Sequence, residues 1–305
     1  MKNLLPSIKK FNVQSSKFKV FRIFAPMILI ADSGSTKTDW VLTREDGSIA
    51  GCFKTQGINP FHQSEDDILA ILQTLPLPFP VKGEELRVCF YGSGVRPELE
   101  PKMERLLQAV LPQATVEVHG DLLGAARAVC GLSPGIACIL GTGANSCLYD
   151  GNDIVQNTPP LGYILGDEGS GAVLGRRFLN ALYKGFMPES VVTDFQKDMN
   201  MTMADVVARI YRQPMANRFL ASLSPFINSH LHEPTVRQLV IDNFRDFFRR
   251  NLVQYGHTDL PVGFVGSVAF HYEAQLKEAA VSEGYTIGHI LKSPIDGLVT
   301  YHNKS

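Results

Sequence analysis

The sequence predicts an α/β protein with two similar lobes and a helical insertion in the second lobe. Apolar strand-like runs alternate with helical patterns, a strand–turn–strand unit occurs twice, and residues 190–255 have an almost continuous helical pattern. The predicted divisions are an N-terminal basic extension at 1–26, a first lobe at 27–131 and a second lobe at 132–305.

The first lobe is predicted from short apolar runs separated by turn residues. "MILIA" and "DWVLT" are strand-like, Asp46-Gly47 is typical of a hairpin turn, and "SIAGCFK" follows as a third strand. Apolar spacing predicts a helix over 65–75. A strand in "LRVCFYGSGV", a helix in "PKMERLLQAVL", a strand in "TVEVHG" and a helix in "DLLGAARAVC" complete this half.

The second lobe begins with a repeat of the opening hairpin. "IACILGTGANSCLYDGNDIVQ" again has a strand, a turn of small residues, a strand and an Asp-Gly turn. Helices are predicted in "GSGAVLGRRFLNALYKG", in "EPTVRQLVIDNFRDFFRRNLVQY" and in "HYEAQLKEAAVSEG", with a buried strand in "PVGFVGSVAF". Two such lobes facing each other would form a cleft, with each hairpin turn pointing into it.

Composition excludes several classes of partner. The 305 residues are 45% hydrophobic and 19% charged, which is typical of a globular chain with a large core. A net charge of −1 gives no support for nucleic acid or an anionic membrane as partner. No apolar run reaches the roughly 18 residues that a membrane span requires. The five cysteines are scattered without a CxxC pair, which indicates reduced thiols in a cytoplasmic protein.

Residues 1–26 contain basic side chains and no acid. Lys19 and Arg22 interrupt the only stretch that could form the apolar segment of a targeting peptide. Met27 directly precedes the first predicted strand. We therefore interpret the leader as an extension outside the fold, with Met27 as a second candidate for the native start.

Four turns rich in glycine and hydroxyl residues follow predicted strands. Glycine lets backbone N–H groups approach an anion, and Ser or Thr adds a hydroxyl donor. Neither GxGxxG nor GxxxxGK[ST] is present. One such turn is commonly no more than a tight turn, but several of them, two in repeated hairpins, favour a divided phosphate site. The turns are Asp32–Lys37, Gly92–Gly94, Gly141–Asn145 and Gly266–Ser267.

The motifs "DSGSTKTDW", "HGDLLGAA", "GTGANS", "LGYILGDEGSGAVLG" and "VGSV" occur in the order seen in a known family. From Met27 onward the chain resembles the N-acetylglucosamine kinase and BadF/BadG/BcrA/BcrD ATPase family of the sugar kinase/actin/Hsp70-like superfamily. The resemblance implies two actin-like (ribonuclease H-like) lobes. It also implies ATP and Mg²⁺ as cofactors and the phosphorylation of a sugar hydroxyl, with N-acetylglucosamine or a related amino sugar as substrate. A homodimer is kept open as its assembly.

The resemblance also assigns roles to residues. Asp32 would hold Mg²⁺, and Asp121 would be the catalytic base and a substrate contact. The other sugar contacts would be Asn59, Gly162 and Asp167. The residues that match the family's nucleotide and phosphate contacts are Asp32, Gly34, Ser35, Thr36, Lys37, Gly141, Thr142, Gly143, Gly266 and Ser267.

Each acidic residue also has a structural interpretation. Asp121 could cap the helix that it opens, and Asp167 with Glu168 could complement the dipole of the following helix. With the flanking motifs in order, we interpret Asp121 as the base, Asp167 as a sugar ligand and Glu168 as structural support.

The chain departs from the family pattern at two places. Ser33 and Ser35 stand where glycine is frequent, and "PPL" at 159–161 stands where N-acetylglucosamine kinases commonly have Gly-Gly and a large aromatic residue. Because proline has no N–H group, the preference for an acetamido sugar is open. Two other functions are also open: an ATPase of the BadF type acting on a protein partner, and a nucleotide sensor without catalysis.

Overall fold

The computed structural model describes residues 27–34, 36–77 and 86–304. The predicted extension at 1–26 and the predicted phosphate contact Ser35 lie outside these residues. Two five-stranded mixed sheets carry the helices. The predicted α/β fold with two lobes and a repeated hairpin is confirmed.

The first sheet has the strand order β3-β2-β1-β4-β5. Its first three strands form an antiparallel meander, and β4 and β5 add to β1 in parallel. The turn between β2 and β3 contains Gly47 at a φ of +80°, as the Asp-Gly pair predicts. The strands are β1 Met27–Ser33, β2 Lys37–Arg44, β3 Ile49–Gln56, β4 Leu86–Gly92 and β5 Thr115–Gly120.

The second sheet repeats this topology in the order β10-β9-β6-β7-β8. β6, β7 and β8 form the antiparallel meander, and β9 and β10 are parallel to β6. Strand β10 has no counterpart among the predicted strands. The strands are β6 Gly135–Leu140, β7 Ala144–Tyr149, β8 Ile154–Thr158, β9 Val262–Val265 and β10 Ile287–Leu291.

Most predicted helices are present, and the insertion divides into several short ones. The first helix ends at Leu72, before the predicted end at residue 75. The ring of Pro76 disfavours helical geometry at the residue before it, so the helix could not have continued through residue 75. No helix in the described part of the chain has the length and apolar character needed to cross a membrane. The helices are α1 Glu65–Leu72, α2 Glu100–Val110, α3 Asp121–Cys130, α4 Gly162–Leu165, α5 Gly171–Tyr183, α6 Glu189–Met199, α7 Met203–Tyr211, α8 Ala216–Ala221, α9 Ser224–Ser229, α10 Pro234–Phe247, α11 Ser267–His271, α12 Glu273–Ser282 and α13 Ile295–His302, with a π-helical turn at Phe248–Leu252.

Each sheet has one face covered by helices of its own half. In the first sheet, Leu29 and Ala31 point toward α1 and α2, where Leu72 and Met103 are fully buried. In the second sheet, β6 packs against α5, α10 and α12 in the largest apolar cluster. The alternation of side chains along a strand leaves a second apolar face on each sheet.

Those second faces are covered by α3 and α13, each of which crosses to the other half. Helix α3 follows the first sheet but packs its apolar side on the second sheet. Helix α13 ends the chain but buries Leu298 against Ile30 and Tyr91 of the first sheet. The two helices touch at Gly297, where a Cβ atom would lie 2.5 Å from the Ala128 carbonyl oxygen. The helix pair therefore joins the two sheets.

A chain of buried hydrogen bonds connects the end of α13 to the first sheet and to α3. The Arg127 guanidinium donates to the Tyr91 hydroxyl at 2.8 Å, and this hydroxyl lies 2.9 Å from His302 Nε2. Since Tyr91 accepts from Arg127, it donates to Nε2, and the ring proton of His302 lies on Nδ1, which faces Cys89 Sγ at 3.8 Å. Burial, together with the charges of Arg87 and Arg127, lowers the pKa of His302 to about 4.

The buried His302 should make folding stability depend on pH. Its folded pKa of about 4 lies below the usual 6.5, so the unfolded chain binds the proton more tightly and stability is lost as the pH falls from 6.5 to 4. The shift corresponds to about 3 kcal/mol at the acid end. Chemical denaturation across this range should show a clearly flatter pH dependence in His302→Gln. The exposed His289→Gln is the control, and an unchanged slope in His302→Gln would contradict the assignment.

Candidate active site

The loop between β1 and β2 is anchored by the buried side chain of Ser33. Its hydroxyl contacts the Thr38 hydroxyl at 2.7 Å and accepts a hydrogen bond from Ile58 N–H at 2.9 Å. Gly34 N–H donates to the Lys37 carbonyl at 3.0 Å. A serine in place of the family's glycine therefore ties this loop to the segment after β3.

The exposed tip of this loop contains Gly34, Thr36 and Lys37, three of the predicted phosphate contacts. Lys37 Nζ forms an ion pair with Asp39 at 2.5 Å, because the two side chains leave the same face of β2. The positive charge of Lys37 is thus already shared with a carboxylate of its own strand.

Asp32 lies at the end of β1 among other acidic groups. It pairs in register with Asp39 and lies close enough to Asp121 for the two charges to interact. Burial, and to a lesser extent the charges of Asp121 and Asp39, raise the pKa of Asp32 to about 7, against the opposing effects of Lys37 and the Ser293 hydroxyl. Asp32 is therefore a half-buried carboxyl group, and the charge of Lys37 does not offset the effects of burial and of its acidic neighbours.

Asp121 is the first residue of α3, directly after β5. Gly120 occupies the N-cap position, so Asp121 is not the cap of this helix. Its carboxylate interacts with the Leu122 N–H group and the Ser93 hydroxyl, yet burial outweighs both contacts and raises its pKa. The structure thus brings together the two carboxylates that were predicted to hold the metal and to act as base.

The side chain of Asn59 packs against the glycine turn that contains Ser93. Its Oδ1 accepts the Phe61 N–H at 3.0 Å, and a Cβ atom at Gly94 would lie 2.3 Å from that oxygen. Only glycine fits beneath Asn59 at this point, where φ is +78°. Through this turn, the predicted sugar contact Asn59 is one residue removed from the hydroxyl that meets Asp121.

The second loop, Gly141–Gly143, is held by the start of α5. The carbonyls of Gly141 and Thr142 accept hydrogen bonds from the N–H groups of Gly171 and Ala172 at 2.9 and 3.1 Å. Asp167 lies directly over this loop: its Oδ1 accepts the Ala144 N–H at 3.3 Å. Burial raises the pKa of Asp167, and the neighbouring Glu168 raises it further.

The predicted sugar contact Gly162 belongs to a tight segment that leads to Asp167. Gly166 N–H donates to the Gly162 carbonyl at 2.7 Å, and Asp167 N–H donates to the Pro160 carbonyl at 2.9 Å. Leu161 is exposed on this segment and has a φ of +61°. The segment therefore connects Gly162 to Asp167 through the backbone and presents an apolar side chain to solvent.

Glu168 has contacts that the sequence did not suggest. Asn251 Nδ2 donates to its Oε2 at 3.3 Å, and Arg250 Nε lies 3.9 Å from its Oε1. Both partners belong to the π-helical turn after α10. These contacts agree with a supporting role for Glu168, which anchors the acidic segment to the helical insertion.

The turn after β9 closes on the second loop. Gly266 has a φ of +125°, and a Cβ atom there would lie 2.2 Å from the Leu140 carbonyl oxygen and 3.3 Å from Gly141 N. Ser267 begins α11 immediately afterwards. The predicted phosphate turns at Gly141–Asn145 and Gly266–Ser267 therefore form one continuous surface.

That surface is one wall of a cavity of about 690 Å³. Helices α8 and α9 form the opposite wall, held in place by the Tyr272 hydroxyl, which donates to the Ser224 carbonyl at 2.6 Å. A groove of about 740 Å³ between α5 and α10 contains none of the predicted site residues. The cavity is lined by Gly141, Thr142, Arg218, Ala221, Ser222, Ser224, Pro225, Asn228, Ser267, Val268, His271, Tyr272 and Lys292.

The acidic cluster fits a divalent cation held mainly through water and phosphate. Asp32 is a half-buried carboxyl group whose pKa stays raised despite the charge of Lys37, and a cation beside it would offset the repulsion from Asp121 and Asp39. No set of three or more His, Cys, Asp or Glu side chains in the described residues is arranged to hold a metal alone. Mg²⁺ commonly uses one or two carboxylates together with substrate phosphates.

The fold and the cleft define the class: this is an ATP-dependent sugar kinase of the actin-like fold. Over 91% of its length the chain is 50% identical to the provisionally named N-acetylglucosamine kinase of Porphyromonas gingivalis, of which it covers 99%, with a TM-score of 0.86. The chain belongs to the N-acetylglucosamine kinase family.

More distant structures share the fold. One is a provisionally named N-acetylglucosamine kinase from Chromobacterium violaceum, at 19% identity over 91% of this chain and 99% of that one, with a TM-score of 0.67. Another is a ROK family glucokinase from Streptomyces griseus in complex with glucose and AMPPNP, at 13% identity over 92% and 99%, with a TM-score of 0.53. No family model and no curated protein matches the chain.

The contact at Gly266 leads to a prediction for Gly266→Ala. The added Cβ would overlap the Leu140 carbonyl and push the second loop away from the cavity, so adenine nucleotide binding should weaken by about tenfold or more. The matched control is Gly284→Ala, which also has a positive φ but no atom within 4 Å of the new Cβ. Isothermal titration calorimetry with ADP checks this; equal effects of the two substitutions would refute the contact-based explanation.

Proposed function

We propose that this sugar kinase transfers the γ-phosphate of ATP to a hydroxyl of N-acetylglucosamine or a related amino sugar, with Asp121 as the general base. The observation that carries the proposal is the proximity of two half-buried carboxyl groups, Asp32 and Asp121, between the predicted phosphate turns. A phosphoryl-transfer site needs a metal-binding carboxylate and a proton acceptor within the length of one phosphate group.

ATP would lie in the cavity beside the second loop. Its phosphates would run from Gly266 and Ser267 along the loop that begins at Gly141 toward the first loop at Gly34. This path is supported by the contact of the Gly266 turn with Gly141. Backbone N–H groups at glycine turns are suited to phosphate oxygens. The full set of proposed contacts is Asp32, Gly34, Ser35, Thr36, Lys37, Gly141, Thr142, Gly143, Gly266 and Ser267.

Mg²⁺ would be held by Asp32 together with phosphate oxygens, and would supply charge neutralisation on the transferring group. Asp32 must lose its proton to do so. Its burial beside Asp121 and Asp39 favours the protonated form in the free protein. Cation binding would therefore release this proton.

Asp121 would accept the proton of the attacking sugar hydroxyl. The sugar oxygen forms a bond to the γ-phosphorus, the bond from that phosphorus to the β–γ bridging oxygen breaks, and its electron pair remains on ADP. Burial raises the proton affinity of Asp121, which suits a base, and the Ser93 and Leu122 contacts partly offset this effect in favour of the ionised form. Such catalysis typically contributes about 10²–10⁴-fold.

The sugar would contact Asn59 from the first lobe and Asp167 and Gly162 from the second. Asn59 is placed beside the Ser93 turn and Asp167 beside the second loop, so the two flank the reacting groups. In the segment that stands in place of the family's Gly-Gly and aromatic residue, Pro159 and Pro160 offer no N–H group, and the exposed side chain of Leu161 offers only apolar contact. The identity of the sugar is therefore best settled by direct comparison. As an ATP-dependent enzyme, the protein would act in the cytoplasm.

The proposal predicts sugar-dependent ATP consumption that is lost in Asp121→Asn. With Mg²⁺ present, we expect turnover with N-acetylglucosamine, glucosamine, N-acetylmannosamine or N-acetylmuramic acid to exceed that with glucose. In Asp121→Asn, kcat should fall by about 10²–10⁴-fold, whereas ADP binding should be retained. A coupled ADP-release assay measures the turnover rates of the unaltered chain and of Asp121→Asn.

The exposed Asp259→Asn is the matched control for loss of a carboxylate. ATP hydrolysis that is indifferent to every sugar would instead indicate an ATPase acting on a protein partner. Nucleotide binding without turnover, unchanged in Asp121→Asn, would indicate a sensor.

A further inference from the structure

Lys292 lies at the junction of the two lobes, where three contacts define its position. The residue before it, Leu291, accepts the Gly266 N–H at 2.9 Å through its carbonyl. The residue after it, Ser293, places its hydroxyl against the Asp32 carboxylate. Because consecutive Cα atoms are about 3.8 Å apart, Lys292 must lie between the Gly266 turn and the end of β1.

Its side chain extends into the nucleotide cavity. Lys292 lines the cavity together with Gly141, Thr142 and Ser267, and its ammonium group lies 5.9 Å from the centre of the Phe270 ring. The residue is exposed, and the group that lies near Phe270 of α11 is its ammonium group. An exposed ammonium group at the rim of a cavity keeps its hydration and can exchange water for an anion.

The charges around the proposed phosphate path favour an additional cation beside the phosphates. Lys37, the predicted phosphate lysine, is paired with Asp39 at 2.5 Å. The nearby acids Asp32 and Asp121 repel a polyphosphate. Arg218 also lines the cavity, but from the α8 wall, where it contacts Met215 Sδ at 3.3 Å. Lys292 is the cation that the fold places between the two phosphate-binding lobes.

We propose that Lys292 binds the terminal phosphates of the nucleotide, at the β–γ bridge, and stabilises the negative charge left on ADP during transfer. This inference rests on the proposed function and adds to it a phosphate contact from the second lobe. Ser293 is the accompanying positioning residue. Its hydroxyl contacts the Asp32 carboxylate of the other lobe and accepts the Ile295 N–H at 3.5 Å. The start of α13 therefore orients Ser293 and, next to it in the chain, Lys292.

The test compares nucleotides that differ only in their phosphates. Calorimetric dissociation constants for adenosine, AMP, ADP and AMPPNP are measured with the intact chain and with Lys292→Met. We expect the affinity for ADP and AMPPNP to fall about tenfold or more, as for a lost hydrogen bond to a charged group, and the affinity for adenosine to stay within twofold. Lys292→Arg should recover most of the loss. The exposed Lys184→Met, at the residue that follows α5, is the control for loss of a surface charge.

Three results would overturn the inference. The first is an equal loss of affinity for adenosine and AMPPNP in Lys292→Met, which would place Lys292 on the nucleoside, and the second is no loss of affinity for any nucleotide. The third is absence of ADP and AMPPNP binding by the unaltered chain. Binding is measured without sugar, so failure of the kinase proposal is separate: a chain without sugar-dependent turnover that still shows the phosphate-selective loss retains this inference.

Discussion

The repulsion between two half-buried carboxyl groups is the constraint on which the site depends. Asp32 is the residue before the last in the first strand of one sheet, and Asp121 begins the helix that leaves the same sheet. In a protein without ligand, such a pair costs free energy, and the protonation of Asp32 near neutral pH relieves it. A cation and a polyphosphate would replace that proton with charges that pair. The acidic cluster therefore costs free energy in the unliganded protein and would be favourable with a cation and a polyphosphate bound, as expected of a preorganised binding site.

The repeated sheet topology explains how distant segments meet at this cluster. In both halves a hairpin begins the sheet, and two parallel strands then add on the other side of its first strand. The carboxyl ends of β1, β4 and β5 lie at one edge of the first sheet, so the turns after them gather there. The same rule gathers the turns after β6, β9 and β10. Helices α3 and α13 place these two edges opposite each other.

The sequence predicts the parts of this arrangement that leave a local pattern. Alternating apolar residues mark most strands, and the glycine turns after β1, β4, β6 and β9 stand out because several small residues in a row have no role in packing. Strand β10 was missed because Gly288 and His289 are exposed and interrupt its apolar pattern. The α8–α9 wall was missed because its polar residues serve a cavity formed only by tertiary packing. Lys292 and Ser293 belong to no motif.

The position of Lys292 and Ser293 has a consequence for the relation between the lobes. Both residues lie on the short connection from β10 in the second sheet to α13, which packs on the first sheet. Helix α13 crosses α3 at Gly297 with almost no space between the backbones, so the connection that carries Lys292 is held close to both sheets. A nucleotide bound to Lys292 as proposed would contact the link between the two lobes, and closure of the cleft around it would exclude water as a competing acceptor.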